Sequence, residues 1–151
     1  MAYRILFVCL GNICRSPSAE GVLRVRAAER GVALEIDSAG TGDWHVGEPP
    51  YGPMQRAART RGYDLSRLRA RQVAAEDFHR FDLIIAMDPS NLENLERLRP
   101  AQGGAELRLF TDYAPGSGAT EVPDPYYTRD FDGTLELIER AAEGLLDALS
   151  R

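Results

Sequence analysis

Eight consecutive residues near the start of the chain, Cys9-Leu10-Gly11-Asn12-Ile13-Cys14-Arg15-Ser16, combine a nucleophile with groups that bind an anion. Where such a segment joins a strand to a helix, its backbone N–H groups curl over the helix N-terminus. They form a concave anion site there, strengthened by the positive end of the helix dipole. Gly11 and Asn12 tolerate the left-handed backbone angles that a tight cradle uses. Arg15 adds a planar fork of donors matched to two phosphate oxygens. A cysteine aimed into this ring is favoured as thiolate, because the field that holds a phosphate also holds a negative sulfur. The chemistry that follows is nucleophilic attack on a bound phosphoryl group. Alone, Cys9 would read as an ordinary buried cysteine at a strand end. Its spacing to Gly11, Asn12, Arg15 and Ser16 decides for function. The lysine-containing nucleotide-binding loop is excluded, because the chain has no Lys.

The elements around this segment must hold it in place. Tyr3 to Cys9 is almost continuously apolar and β-branched, the habit of a strand buried on both faces of a parallel sheet. Ser16-Pro17 reads as an N-cap and first helical residue, opening a helix from Ala19 to Arg30 that Gly31 ends. Leu34 to Ser38 alternates as a second strand, completing a right-handed βαβ unit. Gly47 to Pro53 reads as loop, Met54 to Arg61 as a short helix, and Phe81 to Met87 as a third buried strand. Asp88-Pro89 caps a helix reaching Leu98, and Glu106 to Phe110 is a short fourth strand. Thr111 to Tyr127 reads as loop, and Phe131 to Leu149 as a helix with Leu135, Ile138, Ala142, Leu145 and Leu149 on one stripe. The order predicts an α/β three-layer sandwich with a central four-stranded parallel sheet and the phosphate-binding loop after the first strand. Ligands of such sheets bind at the carboxyl ends of the strands, where Cys9 lies.

Composition narrows the function classes. The chain has 151 residues, 44% apolar and 27% charged, which suits one compact domain over residues 1–151. Eighteen Arg against 23 acids give a formal charge of −5, a poor balance for nucleic acid or a membrane surface. Six of the arginines fall between Arg56 and Arg71, and this reads as a solvated helix face. The N-terminus lacks the features of a signal peptide, and two cysteines allow no disulfide framework, so a cytoplasmic protein is expected. His45 and His79 have no partner at ligand spacing and read as surface or locally satisfied histidines, so no metal is expected.

The pattern C-x5-R-S directly after the first strand resembles the phosphate-binding loop of the low-molecular-weight protein tyrosine phosphatases. The resemblance runs on through Asp37-Ser38-Ala39-Gly40-Thr41, Asp43-Trp44, Ala70-Arg71-Gln72, Met87-Asp88 with Ser90-Asn91, and Asp124-Pro125-Tyr126-Tyr127. It implies hydrolysis of phosphotyrosine and aryl phosphates through a phosphocysteine on Cys9, without a cofactor. Arg15 and the loop residues Leu10, Gly11, Asn12, Ile13, Cys14 and Ser16 would hold the phosphate. Asp124 would be the general acid and base. Without the resemblance, Asp124-Pro125 is only a turn signal. Asn12, Ser16 and Ser38 match residues that brace the loop, and Trp44, Tyr126 and Tyr127 match the substrate cleft. By the same resemblance, Cys14 would trap oxidised Cys9 as a reversible disulfide. Leu68 departs from the pattern, standing where many members have His, three residues before Arg71-Gln72, so the bracing differs here.

The resemblance also implies the partners: a tyrosine-phosphorylated protein as substrate and inorganic phosphate as product. For a small acidic chain, a monomer is the default expectation. Rival functions differ at single positions. Protein-arginine phosphatases, similar over the whole fold, carry Thr at the position of Ile13, and an apolar wall there favours phosphotyrosine. Thioredoxin-coupled arsenate reduction needs a further cysteine pair downstream, and none follows Cys14. A non-catalytic phosphate-binding module would be expected to have lost Cys9, Arg15 or Asp124, yet all three are present.

Overall fold

The structure, a computed structural model, describes residues 2–102 and 104–150. Four parallel strands, β1 (Tyr3–Cys9), β2 (Leu34–Gly40), β3 (Leu83–Ala86) and β4 (Glu106–Leu109), form one sheet in the order β2-β1-β3-β4. Among the described residues six helices accompany them: α1 (Arg15–Glu29), α2 (Gly52–Thr60), α3 (Asp77–Arg80), α4 (Pro89–Leu98), α5 (Pro125–Thr128) and α6 (Phe131–Leu149). The architecture is the α/β sheet-and-helix arrangement expected from the order of the elements.

The strands show why the sheet sits in the middle. Along β1, Ile5 and Phe7 join the cluster built by α1, α2 and α6, whereas Leu6 and Val8 join the cluster containing Phe78 of α3 and Leu95 of α4. β3 alternates in the same way, with Leu83 and Ile85 on one side and Ile84 and Ala86 on the other. A period of two with both faces apolar is what a sheet covered on two sides requires. Phe7 anchors the larger cluster against Phe110, ring centroids 5.0 Å apart. Each such fully buried side chain contributes about 1.5–3 kcal/mol. In α6, Leu135, Ile138, Ala142 and Leu145 are buried and Leu149 is partly so.

Several local expectations need correction. Helix α1 starts at Arg15, with Cys14 as N-cap and no side-chain cap, so Ser16-Pro17 is not the cap pair. Ser16 is fully buried in the first turn, its hydroxyl taken up by the preceding loop. α2 starts at Gly52, two residues earlier than the apolar pattern indicates. The stretch from Thr111 to Tyr127 is not all loop: 3₁₀ turns at Phe110–Tyr113 and Pro115–Ser117 and the single helical turn α5 lie within it or overlap it. Helix α3, four residues long, carries too little periodicity to be seen in the sequence. Five of the six arginines between 56 and 71 are exposed, and Arg71 instead bonds Asp37 and Asp77. No helix among the described residues is long and apolar enough to cross a membrane.

Candidate active site

β1 is an inner strand whose neighbours are reached in opposite directions, β2 on one side and β3 on the other. The carboxyl end of β1 is therefore a topological switch point, the place where open α/β sheets leave a crevice. Cys9 ends β1 there, and the loop that follows turns directly into α1. Asn12 makes the turn with φ 57°, in the left-handed region; Gly11 does not adopt it. A Cβ at Gly11 would stand 3.1 Å from the His45 ring, a tight contact.

Buried hydrogen bonds fix the loop from below. The Asn12 backbone N–H donates to Cys9 Sγ at 3.2 Å, and Ser16 Oγ lies 3.0 Å from the same sulfur. The Asn12 carboxamide donates to Ser16 Oγ at 2.7 Å and to Ser38 Oγ at 3.0 Å, and accepts from the Arg71 backbone N–H at 3.0 Å. Ser38 Oγ in turn donates to Glu20 Oε1 at 2.7 Å. The donors thus run in order. The Glu20 carboxylate takes the Ser38 proton, leaving Ser38 as an acceptor for Asn12. Asn12 then occupies a lone pair of Ser16, whose hydroxyl lies between the Cys9 sulfur at 3.0 Å and the Ala39 carbonyl at 3.4 Å. Burial pushes the Glu20 carboxyl above the ordinary range, against the opposing bonds from Ser38 and Arg24. Leu68 is half-buried against the core, so the bracing closes through Arg71 and Glu20.

Arg15 is 3% exposed and enters the cleft from the first turn of α1. One guanidinium nitrogen donates to Asp88 Oδ2 at 2.7 Å and to the Val122 carbonyl at 3.1 Å; the other lies 3.6 Å from Asp124 Oδ2. Burial alone would weaken its hold on the proton, but Cys9, then Asp88 and Asp124, raise it above the ordinary value. Asp88 also caps α4, accepting from the Asn91 N–H at 2.8 Å. Val122 donates its N–H to the Met87 carbonyl at 2.8 Å, tying the long loop to the end of β3. That tether carries Asp124 over the Cys9 loop, where its other oxygen caps α5 by accepting from the Tyr126 N–H.

These groups face a cleft of about 360 Å³ lined by Cys9, Leu10, Gly11, Ile13, Cys14, Arg15, Trp44, His45, Asp124, Tyr126 and Tyr127. Asn12, Ser16 and Ser38 lie buried beneath it. Tyr126 is packed between Tyr51 and Tyr127, with ring centroids 5.2 and 5.3 Å away. Burial pushes the Cys14 thiol up to about 12, helped by Cys9 and Asp124. Cys14 is therefore a neutral thiol at physiological pH. Among the described residues, no group of three metal-ligating side chains assembles. A nucleophile, a buried cation, a carboxylate and aromatic walls in one crevice suit transfer of a phosphoryl group from an aryl oxygen.

Comparison with known proteins decides the family. Residues 4–151 match the family model described as low molecular weight phosphotyrosine protein phosphatase. The chain belongs to that family. It is 41% identical over 149 residues to the low molecular weight protein-tyrosine-phosphatase YfkJ of Bacillus subtilis, covering 97% of this chain and 96% of that protein. The crystal structure of YfkJ superposes with a TM-score of 0.94 over 99% of this chain and 96% of that one. A Streptomyces coelicolor low molecular weight protein-tyrosine-phosphatase is 45% identical over 99% of this chain and 94% of its own length. A Drosophila arginine phosphatase structure is 30% identical, with a TM-score of 0.92 over 97% of this chain and 98% of that one.

Within this phosphatase fold, sequence reasoning overlooked three residues of the site. Asp88 carried a cap signal and a place in the resemblance but no role at the site, although the same carboxylate holds Arg15. His45, read as a surface or local histidine, lines the cleft and pairs with Glu48 at 3.1 Å. Glu20 gave no signal, since an acidic residue in a helix is ordinarily solvated.

Proposed function

We propose that this chain is a protein tyrosine phosphatase that works through a phosphocysteine. Cys9 thiolate attacks phosphorus, forming the S–P bond as the P–O bond to the phenol breaks. Asp124 gives its proton to the departing phenolate oxygen, so tyrosine leaves neutral. Asp124 then removes a proton from water, which attacks the phosphocysteine, releasing inorganic phosphate and restoring the thiolate. Arg15 and the loop N–H groups hold the three non-bridging oxygens as charge redistributes. Asp88 positions Arg15, and the chain from Glu20 to Ser16 positions the sulfur. Trp44, Tyr126 and Tyr127 wall the space for a phenyl ring. Cys14, kept protonated, is the reserve thiol that captures an oxidised Cys9. The substrates are phosphoproteins in the cytoplasm, and the enzyme acts as a single-domain monomer without metal or cofactor.

The observation that carries this reading is the meeting of Asp124, from a distant segment, with Cys9 and Arg15 of the first loop in one aromatic-walled cleft. A protein-arginine phosphatase shares the scaffold, but the Ile13 side chain faces the cleft as an apolar wall, which disfavours a polar guanidinium. The test is turnover of phosphotyrosine, phosphoarginine and phosphoserine by the wild type and Cys9→Ser. Phosphotyrosine hydrolysis lost in Cys9→Ser is expected. Faster hydrolysis of phosphoarginine, or activity surviving in Cys9→Ser, would refute it.

A further inference from the structure

A second cavity, of about 320 Å³, lies directly beside the Cys9 cleft, and Leu10 and Trp44 line both. The Trp44 ring is 67% exposed and forms the ridge between them. It can lie there because residue 42 is glycine: a Cβ would collide with the indole Cζ3. Beyond the ridge, the cavity is walled by Val73, by Leu95 and Leu98 from α4, and by the uncharged polar residues Thr41, Gln72 and Asn94. No charged side chain among the described residues lines it, in a chain where 27% of residues are charged. The Thr41 hydroxyl is buried and has no hydrogen-bond partner among the described residues. Leu10, Trp44 and Leu98 leave an apolar surface open to solvent on both sides of the ridge. Exposed apolar area continuous with a reaction cleft is the mark of a recognition surface.

We infer that this second cavity is a substrate subsite that takes an apolar side chain within two residues of the phosphotyrosine. The inference rests on the phosphatase reading of the Cys9 cleft. A phosphotyrosine inserted beside Trp44 leaves its backbone crossing the ridge that the two cavities share. In an extended segment, residues advance about 3.3 Å each, so a neighbouring residue passes over the ridge within one or two positions. A charged side chain would be desolvated there against leucine and valine without an oppositely charged partner; an aliphatic or aromatic one gains by burial. Small aryl phosphates fill only the first cavity and do not sense the second.

Leu98 offers a clean test, because it is the last residue of α4, is 36% exposed, and has no part in the proposed chemistry. Phosphotyrosine peptides carrying Leu, Arg or Ser at each of the two positions on either side would be compared with p-nitrophenyl phosphate. At one of these positions Leu should raise kcat/KM about tenfold over Ser, the range a small apolar pocket supplies. Leu98→Glu should erase that gain and make Arg the preferred residue there, with p-nitrophenyl phosphate turnover unchanged within about twofold. Leu98→Trp, which fills the space without adding charge, should erase the gain alone. Equal rates for Leu and Ser at every position, or a preference untouched by both variants, would overturn the subsite while leaving the phosphatase reading intact. Absence of p-nitrophenyl phosphate turnover by the wild type would overturn that reading itself.

Discussion

Ser38→Ala breaks the hydrogen-bond chain at its middle, and its effect on stability should depend on pH. The Ser38 hydroxyl donates to Glu20 at 2.7 Å and accepts from Asn12 at 3.0 Å. Glu20 is 4% exposed, so no water replaces the lost donor. A hydrogen bond to a charged group is worth about 1.5–3 kcal/mol and a neutral one about 0.5–1.5, giving about 2–4.5 kcal/mol in all at pH 8. Burial already holds the Glu20 carboxyl above its ordinary value, so its ionisation opposes folding as pH rises from the unfolded value through the folded one. Without Ser38 the folded value climbs further, at about 1.4 kcal/mol per unit. The destabilisation should therefore be larger at pH 8 than at pH 5, because a carboxyl that holds its proton more tightly sheds part of the cost of its buried charge as pH falls. Urea unfolding of wild type and variant at the two pH values measures the difference. An equal loss at both, or a larger one at pH 5, would refute the polarised chain from Glu20 to Cys9.

Three further outcomes test separate parts of the site. Asp124→Ala should lower kcat/KM for phosphotyrosine about 10²–10⁴-fold, and much less for aryl phosphates whose phenols leave readily; a uniform loss of kcat/KM across the series would remove its acid role. Arg15→Ala should lower kcat/KM at least about 10²-fold and weaken inhibition by inorganic phosphate, since a buried donor to the transferring group is lost. After brief peroxide treatment and thiol reduction, Cys14→Ser should recover less activity than wild type; equal recovery would end the reserve-thiol assignment.

The parts of the fold carried by periodicity are written openly in the amino-acid order. β1 is legible because five consecutive buried residues, Ile5 to Cys9, leave no polar interruption. The Asp88-Pro89 start of α4 is legible because a cap is a local hydrogen bond, here to Asn91. The Cys9 loop is legible because its chemistry is contiguous. Asp124 is different. Its approach to Arg15 depends on a bond between Val122 and Met87, 35 positions apart, and no local pattern encodes that. Glu20 lies on a helix whose first half is buried on every side, including Arg15, Ser16 and Ser18. A residue type that normally marks a solvated face here marks the underside of a site. The missed cap of α1 has the same origin: Ser16 has cap chemistry, but the loop claims its hydroxyl for sulfur.

A covalent bond between Cys9 and phosphorus is the centre of the mechanism, and trapping that bond tests it most directly. Asp124→Ala mixed rapidly with p-nitrophenyl phosphate should release p-nitrophenol in a burst. The good leaving group needs no acid, whereas the second step lacks its base. Mass spectrometry of the quenched protein should then find one phosphoryl group, on the peptide that contains Cys9, and Cys9→Ser should show neither burst nor label. A burst with Cys9 unmodified, or a phosphoryl group on any other residue, would contradict the mechanism.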